Sequence, residues 1–273
     1  MIYTKEKNKI IITDCTDFNI EHILECGQVF TYSKNDTLDY NVYSKDKFAR
    51  VKFVKGRYEI CTDDVDYFVN YFDLDTDYTQ IKQKLSKNAD LINSIKFGYG
   101  IRILKQDLLE VIFGFIISSN NNIERIKGIM AKLRQYGDDN GAYHAFPTLE
   151  QLSLLSEEDY KKMGAGYRAK YLKTVTEQLK NINLIETYSY STPKLKTWLL
   201  SLMGVGPKVA DCILLFGYSR CDSFPVDTWI EKVYIDLFHE KVPRQTMSKN
   251  LINYFGDLSG YAQQYLFFYK RSN

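Results

Sequence analysis

What this 273-residue chain has little of closes off several kinds of chemistry. Cysteine occurs five times, at Cys15, Cys26, Cys61, Cys212 and Cys221, an odd count with no C-x-x-C pair. That disfavours a disulfide framework, a zinc ribbon and a clustered iron–sulfur site. Histidine occurs three times, at His22, His144 and His239, far apart in sequence. Zinc or Ser-His-Asp chemistry would need a coincidence of folding to assemble from them. Five prolines and 15 glycines argue against a fibrous or low-complexity chain. No run of 18 apolar residues occurs, which excludes a membrane-spanning helix. The opening MIYTKEKNKI lacks the apolar core of a signal peptide, which sets the expectation of a mature, cytoplasmic protein.

What is present is the balance of an ordinary globular protein, 45% hydrophobic and 26% charged. A chain of this length buries roughly three quarters of its unfolded surface, so a sizeable core is available. The overall charge of +2 says little by itself. Its distribution says more: residues 1–92 carry a net −3 and residues 93–273 a net +5. A mildly basic second part is compatible with a polyanionic partner, and equally with scattered surface charge.

The first part reads as strands. IIITD, YNVYS, FARVKFV and YEICT are short, rich in Ile, Val, Tyr and Phe, and partly alternating, with polar turn clusters at Ser33–Asp39 and Ser44–Lys47. Short connections favour antiparallel pairing. A stretch near Asp17–Glu25 has helical spacing, and Asp77 or Thr79 would cap a helix that closes the sheet region. From about residue 93 the period becomes 3.6. DLLEVIFGFIISS starts a helix at Asp107, NNIERIKGIMAKLRQYG runs to Gly137, and Ser156 with Asp159 has capping-box spacing. TPKLKTWLLSLMG places Thr192 as N-cap and Pro193 first in its helix. The expected fold class is α+β: an antiparallel β-sheet domain over 1–92, then a helical domain over 93–273, the two packed together without a clear linker. MGAGYR at 163–168 weakly echoes MGVGPK at 203–208, each a G-x-G turn between helices.

The segment LLSLMGVGPKVADCILLFGYSRCDSFPVDTWIEKV carries the most chemistry. Two apolar helices are joined by Gly204-Val205-Gly206, a helix-hairpin-helix over about 193–217. Glycines allow the turn positive φ and bring its N–H groups against a phosphate. The second helix adds its unsatisfied donors and positive dipole at the same spot. Lys208 sits in that helix's first turn, after Pro207, where the dipole disfavours an ammonium. A neutral amine is what a lysine nucleophile requires; a phosphate-contacting or solvated lysine is the plainer alternative. Asp227 is placed to cap the helix TWIEKVYIDLF. A carboxylate held near Lys208 could also relay a proton or stabilise a developing cation at a sugar C1′.

These motifs resemble the active site of the 8-oxoguanine DNA glycosylase/lyases of the helix-hairpin-helix superfamily, and the resemblance extends over most of the chain. It implies a sheet domain of the TBP-like kind followed by an all-helical glycosylase domain. It also implies that Lys208 attacks C1′ while Asp227 assists. SSNNNIER at 118–125 is similar to the family's S-S-N-N-N-I-x-R; by resemblance Asn120 fills the gap left by a flipped base and Arg125 reads the orphaned cytosine. Tyr167 and Arg168, in G-Y-R, would wedge into the stack and reach the same cytosine. CGQVF at 26–30 resembles the family's S-G-Q-x-F, in which the carbonyl of Gly27 would accept from N7–H of 8-oxoguanine and repel the bare N7 of guanine. Gln263 would bond the base's Watson–Crick edge, and Phe267, one turn on, would stack on it. Cys212, one turn after Lys208, would cover its other side. Read without the resemblance, Phe267 and Cys212 are core residues. One departure stands out: two residues after the aspartate, where the family has histidine, this chain has Trp229, which removes one phosphate contact.

The resemblance implies a bifunctional enzyme that excises 8-oxoguanine, preferentially opposite cytosine, and nicks the strand. No metal or redox cofactor is required, although the hairpin carbonyls could hold a structural cation. The implied partner is double-stranded DNA containing 8-oxoguanine, bound by a monomer in a bacterial cytosol or nucleoid, with no membrane. Two other readings stand beside this one: a sister glycosylase for another damaged base, and a non-catalytic helix-hairpin-helix DNA-binding module. The iron–sulfur branch is disfavoured by the missing cysteine cluster, and the alkylation branch because it lacks the hairpin lysine.

Overall fold

A computed structural model describes residues 1–273. Six strands form one sheet in the order β1-β2-β6-β5-β4-β3, every neighbouring pair antiparallel: β1 (Tyr3–Glu6), β2 (Lys9–Ile12), β3 (Tyr32–Asp36), β4 (Asp39–Ser44), β5 (Lys47–Val54) and β6 (Arg57–Thr62). Period-two alternation decides which face is covered. Tyr40 and Val42 of β4, Val51 of β5 and Tyr58 and Ile60 of β6 point inward, onto helices α1 (Ile20–Glu25) and α2 (Val65–Tyr71). The two outermost strands, β1 and β3, carry mostly polar residues. Most of β3 is the Ser33–Asp39 cluster that reads as a turn in sequence. As an edge strand, β3 needs neither a fully buried face nor apolar alternation.

Helices follow: α3 (Tyr78–Leu85), α4 (Ile92–Phe97), α5 (Leu108–Ser118), α6 (Ile123–Arg134), α7 (Leu149–Leu154), α8 (Glu157–Lys162), α9 (Arg168–Leu179) and α10 (Leu184–Thr187). Next come α11 (Thr192–Leu200), α12 (Pro207–Phe216), α13 (Thr228–Phe238), α14 (Arg244–Phe255) and α15 (Ser259–Ser272). The expected caps are in place: Asp77 accepts from Gln80 N, Asp107 accepts from Glu110 N, and Ser156 forms a capping box with Asp159. At α11 the boundary shifts by one. Ser191 occupies the cap position without a side-chain bond, and Thr192 is already helical.

Three apolar cores result. One lies under the sheet; a second joins α5, α6, α9, α11 and α12; the third joins α4, α13, α14 and α15 with Cys26. Leu85, Leu91, Ile95 and Ile101, which flank the boundary expected at residue 92, all belong to this third core. Sheet and helices are also tied by polar pins. Gln28 is fully buried; its amide donates to Ile23 O (2.8 Å) and Arg102 O (2.7 Å), and its oxygen accepts from Leu104 N (2.9 Å). Glu110 of α5 pairs with Arg134 of α6 at 2.6 Å, and both bond the backbone of Lys45 in the β4–β5 turn. The seam between the second and third cores, beside Gly27, holds the candidate site.

Candidate active site

Helix α12 opens on Gly206 with Pro207 in its first turn, where a missing N–H leaves nothing unsatisfied. Gly204 has φ +84, and a Cβ there would press on Tyr171 at 2.9 Å. Gly206 is extended and faces open space. Val205 is buried, so only backbone faces outward at this bend. The amides of Gly204 and Gly206 find no acceptor within the chain. The echo at residues 163–168 is partial: Gly166 is left-handed, at φ +60, where Gly206 is extended.

Lys208 follows directly, half-buried, with its ammonium nitrogen 5.4 Å from the centre of the Phe115 ring. It makes no ion pair. One turn on, Cys212 is buried on the same face, and burial pushes its thiol up to about 11 against the pull of the Lys208 amine. Asp227 caps α13. Its Oδ1 accepts from Trp229 N (3.0 Å) and Ile230 N (2.9 Å), which leaves Oδ2 without a partner in the chain.

Lys208, Cys212 and Asp227 line one cavity with Gly27, Gln263 and Phe267. All six residues assigned to catalysis or base recognition therefore meet, although they span positions 27 to 267. The remaining walls are Phe115, Phe216, Pro225 and Gln264. The cavity measures about 50 Å³, well under the roughly 150 Å³ that holds a benzene. Its polar lining is incompletely used. Gln263 Nε2 donates to Pro225 O at 3.4 Å, while its Oε1 is buried without a partner. Phe267 rests on Gly27: a Cβ at Gly27 would lie 3.0 Å from its ring.

A second cluster lies on the outer surface. The loop after α5 turns at Asn120, exposed and at φ +50. Arg125 is exposed and donates to Gly164 O at 3.0 Å. Tyr167 is 55% exposed, with its hydroxyl on Ser119 O. Arg168 is placed differently from these neighbours. It is buried, donating to Ser119 O and to Asn120 O (2.8 Å), with its guanidinium 4.3 Å from the Tyr167 ring centre. In this state it shapes the loop and does not face outward. Trp229 is half-buried, with Lys232 over its ring at 4.5 Å, and does not line the cavity.

Sequence reading missed Gln264 and the full role of Gln28. Gln264 Nε2 donates to Cys26 O at 2.9 Å and so carries the turn that presents Gly27. Two adjacent glutamines inside the otherwise apolar YAQQYLFF were the available signal. No three His, Cys, Asp or Glu side chains come together as metal ligands. A cation at the hairpin would rest on backbone oxygens alone, a donor set suited to a hard ion.

Residues 10–112 match the family described as 8-oxoguanine DNA glycosylase, N-terminal domain, and residues 113–253 the family described as HhH-GPD superfamily base excision DNA repair protein. The chain is 35% identical over 187 residues to the N-glycosylase/DNA lyase OGG1 of Arabidopsis thaliana, covering 62% of this chain and 51% of that protein. It is 36% identical over 186 residues to the N-glycosylase/DNA lyase of Saccharomyces cerevisiae, covering 61% and 50%. It thus spans about half the length of these two curated relatives. Among solved structures it is similar to the Clostridium acetobutylicum 8-oxoguanine glycosylase/lyase in complex with double-stranded DNA containing cytosine opposite 8-oxoguanine. The TM-score there is 0.94, at 35% identity, over 100% of this chain and 98% of that one. Fold, site geometry and these matches lead to one conclusion: the chain belongs to the HhH-GPD superfamily of base excision DNA repair proteins, with the N-terminal domain of the 8-oxoguanine DNA glycosylases.

Proposed function

We propose that this protein is a bifunctional DNA glycosylase that excises 8-oxoguanine, preferentially opposite cytosine, and cleaves the strand at the resulting site. The observation that carries the reading is the meeting of Lys208, Asp227, Cys212, Gly27, Gln263 and Phe267 around one cavity. The chemistry of the walls fits the lesion. A purine of the guanine type offers N1–H and N2–H donors, which suit the unpaired Oε1 of Gln263. The carbonyl of Gly27 accepts from N7–H, which 8-oxoguanine has and guanine lacks. Flipping the nucleotide out of the stack costs roughly a few kcal/mol. A base enters once the Phe267 ring, now resting on Gly27, swings aside to stack on it.

In the reaction, the lone pair of Lys208 Nζ forms a bond to C1′ as the C1′–N9 bond breaks, and the base leaves with the electron pair. Asp227 lines the cavity, and its Oδ2, free of the capping task, would stabilise the developing positive charge and take the amine proton. Opening of the sugar ring gives a Schiff base between Nζ and C1′. Loss of a C2′ proton then expels the 3′ phosphate by β-elimination, which nicks the strand 3′ to the lesion. No step uses a metal or redox cofactor. The hairpin, with its unpaired amides, would grip the DNA backbone. Asn120 would help fill the gap, Tyr167 would wedge into the stack, and Arg125 would donate to the acceptors of the orphaned cytosine. Arg168 reaches that cytosine only by leaving Ser119 O and Asn120 O. Trp229, where the family's phosphate-binding histidine would stand, offers an aromatic face instead.

A gel assay with 8-oxoguanine opposite each of the four bases tests the reading. Fastest cleavage opposite cytosine supports it. Binding without cleavage points to a DNA-binding module, and cleavage of a different lesion only points to a sister glycosylase.

A further inference from the structure

The turn Cys26–Gly27, which follows α1, belongs to no strand, yet it presents the carbonyl to which lesion recognition is assigned. It is held from the other end of the chain. Gln264 donates to Cys26 O, and Arg271 Nη2 donates to Glu25 O. Both donors lie on α15, seven residues apart, with Phe267 between them on the same face. The Arg271 guanidinium carbon is 5.3 Å from the centre of the Phe267 ring. Its Nη1 would lie 3.2 Å from a Cβ built on Gly27, is buried, and has no partner. A buried guanidinium N–H without an acceptor is costly and calls for a role beyond packing.

We propose that Arg271 is a positioning residue that sets lesion discrimination, by holding the Gly27 turn against α15 so that its carbonyl cannot retreat. The proposal rests on the function argued above. A carbonyl separates N7–H from a bare N7 only if it cannot retreat. A turn free to yield by about 1 Å would relieve the repulsion against guanine and weaken the bond to the lesion. The planar fork of arginine bonds the turn with one prong and lies beside Gly27 with the other, over the ring of Phe267. A lysine keeps the charge but cannot reproduce that fork.

Removal of a base needs the pocket, whereas cleavage at an abasic site does not, and this separates positioning from folding. Wild type, Arg271→Lys and Arg271→Met are assayed for single-turnover 8-oxoguanine excision, for competition by undamaged duplex, and for borohydride trapping on abasic DNA. We expect Arg271→Met to lose at least tenfold in excision and to be competed more readily by undamaged DNA, with abasic trapping within twofold of wild type and Arg271→Lys in between. Equal loss on both substrates, or loss on neither, overturns the proposal. If Arg271→Met does not fold, Arg271→Lys decides by the same two criteria. A wild type that traps on abasic DNA but ignores 8-oxoguanine overturns the functional reading itself, and this proposal with it.

Discussion

Under the proposed function, Gln263 trades stability for recognition. Its oxygen is buried without a donor, a cost the empty protein bears and a purine edge would relieve. Gln263→Leu should therefore fold as stably as wild type or more so, by up to about 1 kcal/mol, while losing most 8-oxoguanine excision and retaining cleavage at abasic sites. Thermal unfolding and the two cleavage assays check this. Lys208 and Asp227 were legible as candidates from the hairpin segment and its helix cap, and Gly27 only through the resemblance of CGQVF to the family's motif. Arg271 and Gln264 were not. Their partners lie 246 and 238 residues away: the paired glutamines of YAQQYLFF mark a polar side chain in an apolar helix, but nothing local names the distant carbonyl that Gln264 or Arg271 holds.

At the scale of elements, two tasks share one residue. Asp227 caps α13 with Oδ1 and lines the cavity, its Oδ2 without a partner in the chain. Asparagine caps about as well as aspartate, whereas alanine does not. Asp227→Asn should then keep the melting temperature and lose excision, while Asp227→Ala loses excision and about 1 kcal/mol of stability. The hairpin glycines divide in a similar way. Gly204→Ala meets both a positive φ and the Tyr171 side chain, and should cost roughly 1–3 kcal/mol in urea unfolding. Gly206→Ala faces open space and should leave stability intact while weakening DNA binding in a gel shift, because its Cβ stands where a phosphate would approach. Helices were read well from capping residues and period, down to Asp77, Asp107 and the Ser156 box. Strands β1 and β3 were not, because a polar edge strand carries neither alternation nor a buried face to betray it.

Across the whole molecule, the site exists because the sheet, the hairpin helices and the C-terminal helices converge on one seam. The Glu110–Arg134 pair, bonded to Lys45, locks the sheet to α5 and α6. Glu110→Ala would leave a buried cation unpaired and should lower unfolding free energy by roughly 3–5 kcal/mol, measured by urea denaturation. That convergence was only partly visible beforehand: the α+β class followed from the change of period near residue 93, but the shared core of Leu85, Ile95 and Phe268 depends on packing across the chain. The central claim is that a lysine amine in this seam bonds covalently to deoxyribose. Borohydride reduction during turnover of an 8-oxoguanine·cytosine duplex tests it most directly. Wild type should give a protein–DNA adduct stable on a denaturing gel. Lys208→Gln should give none while still shifting the duplex on a native gel. Normal excision by Lys208→Gln, together with no adduct from wild type, would contradict the account.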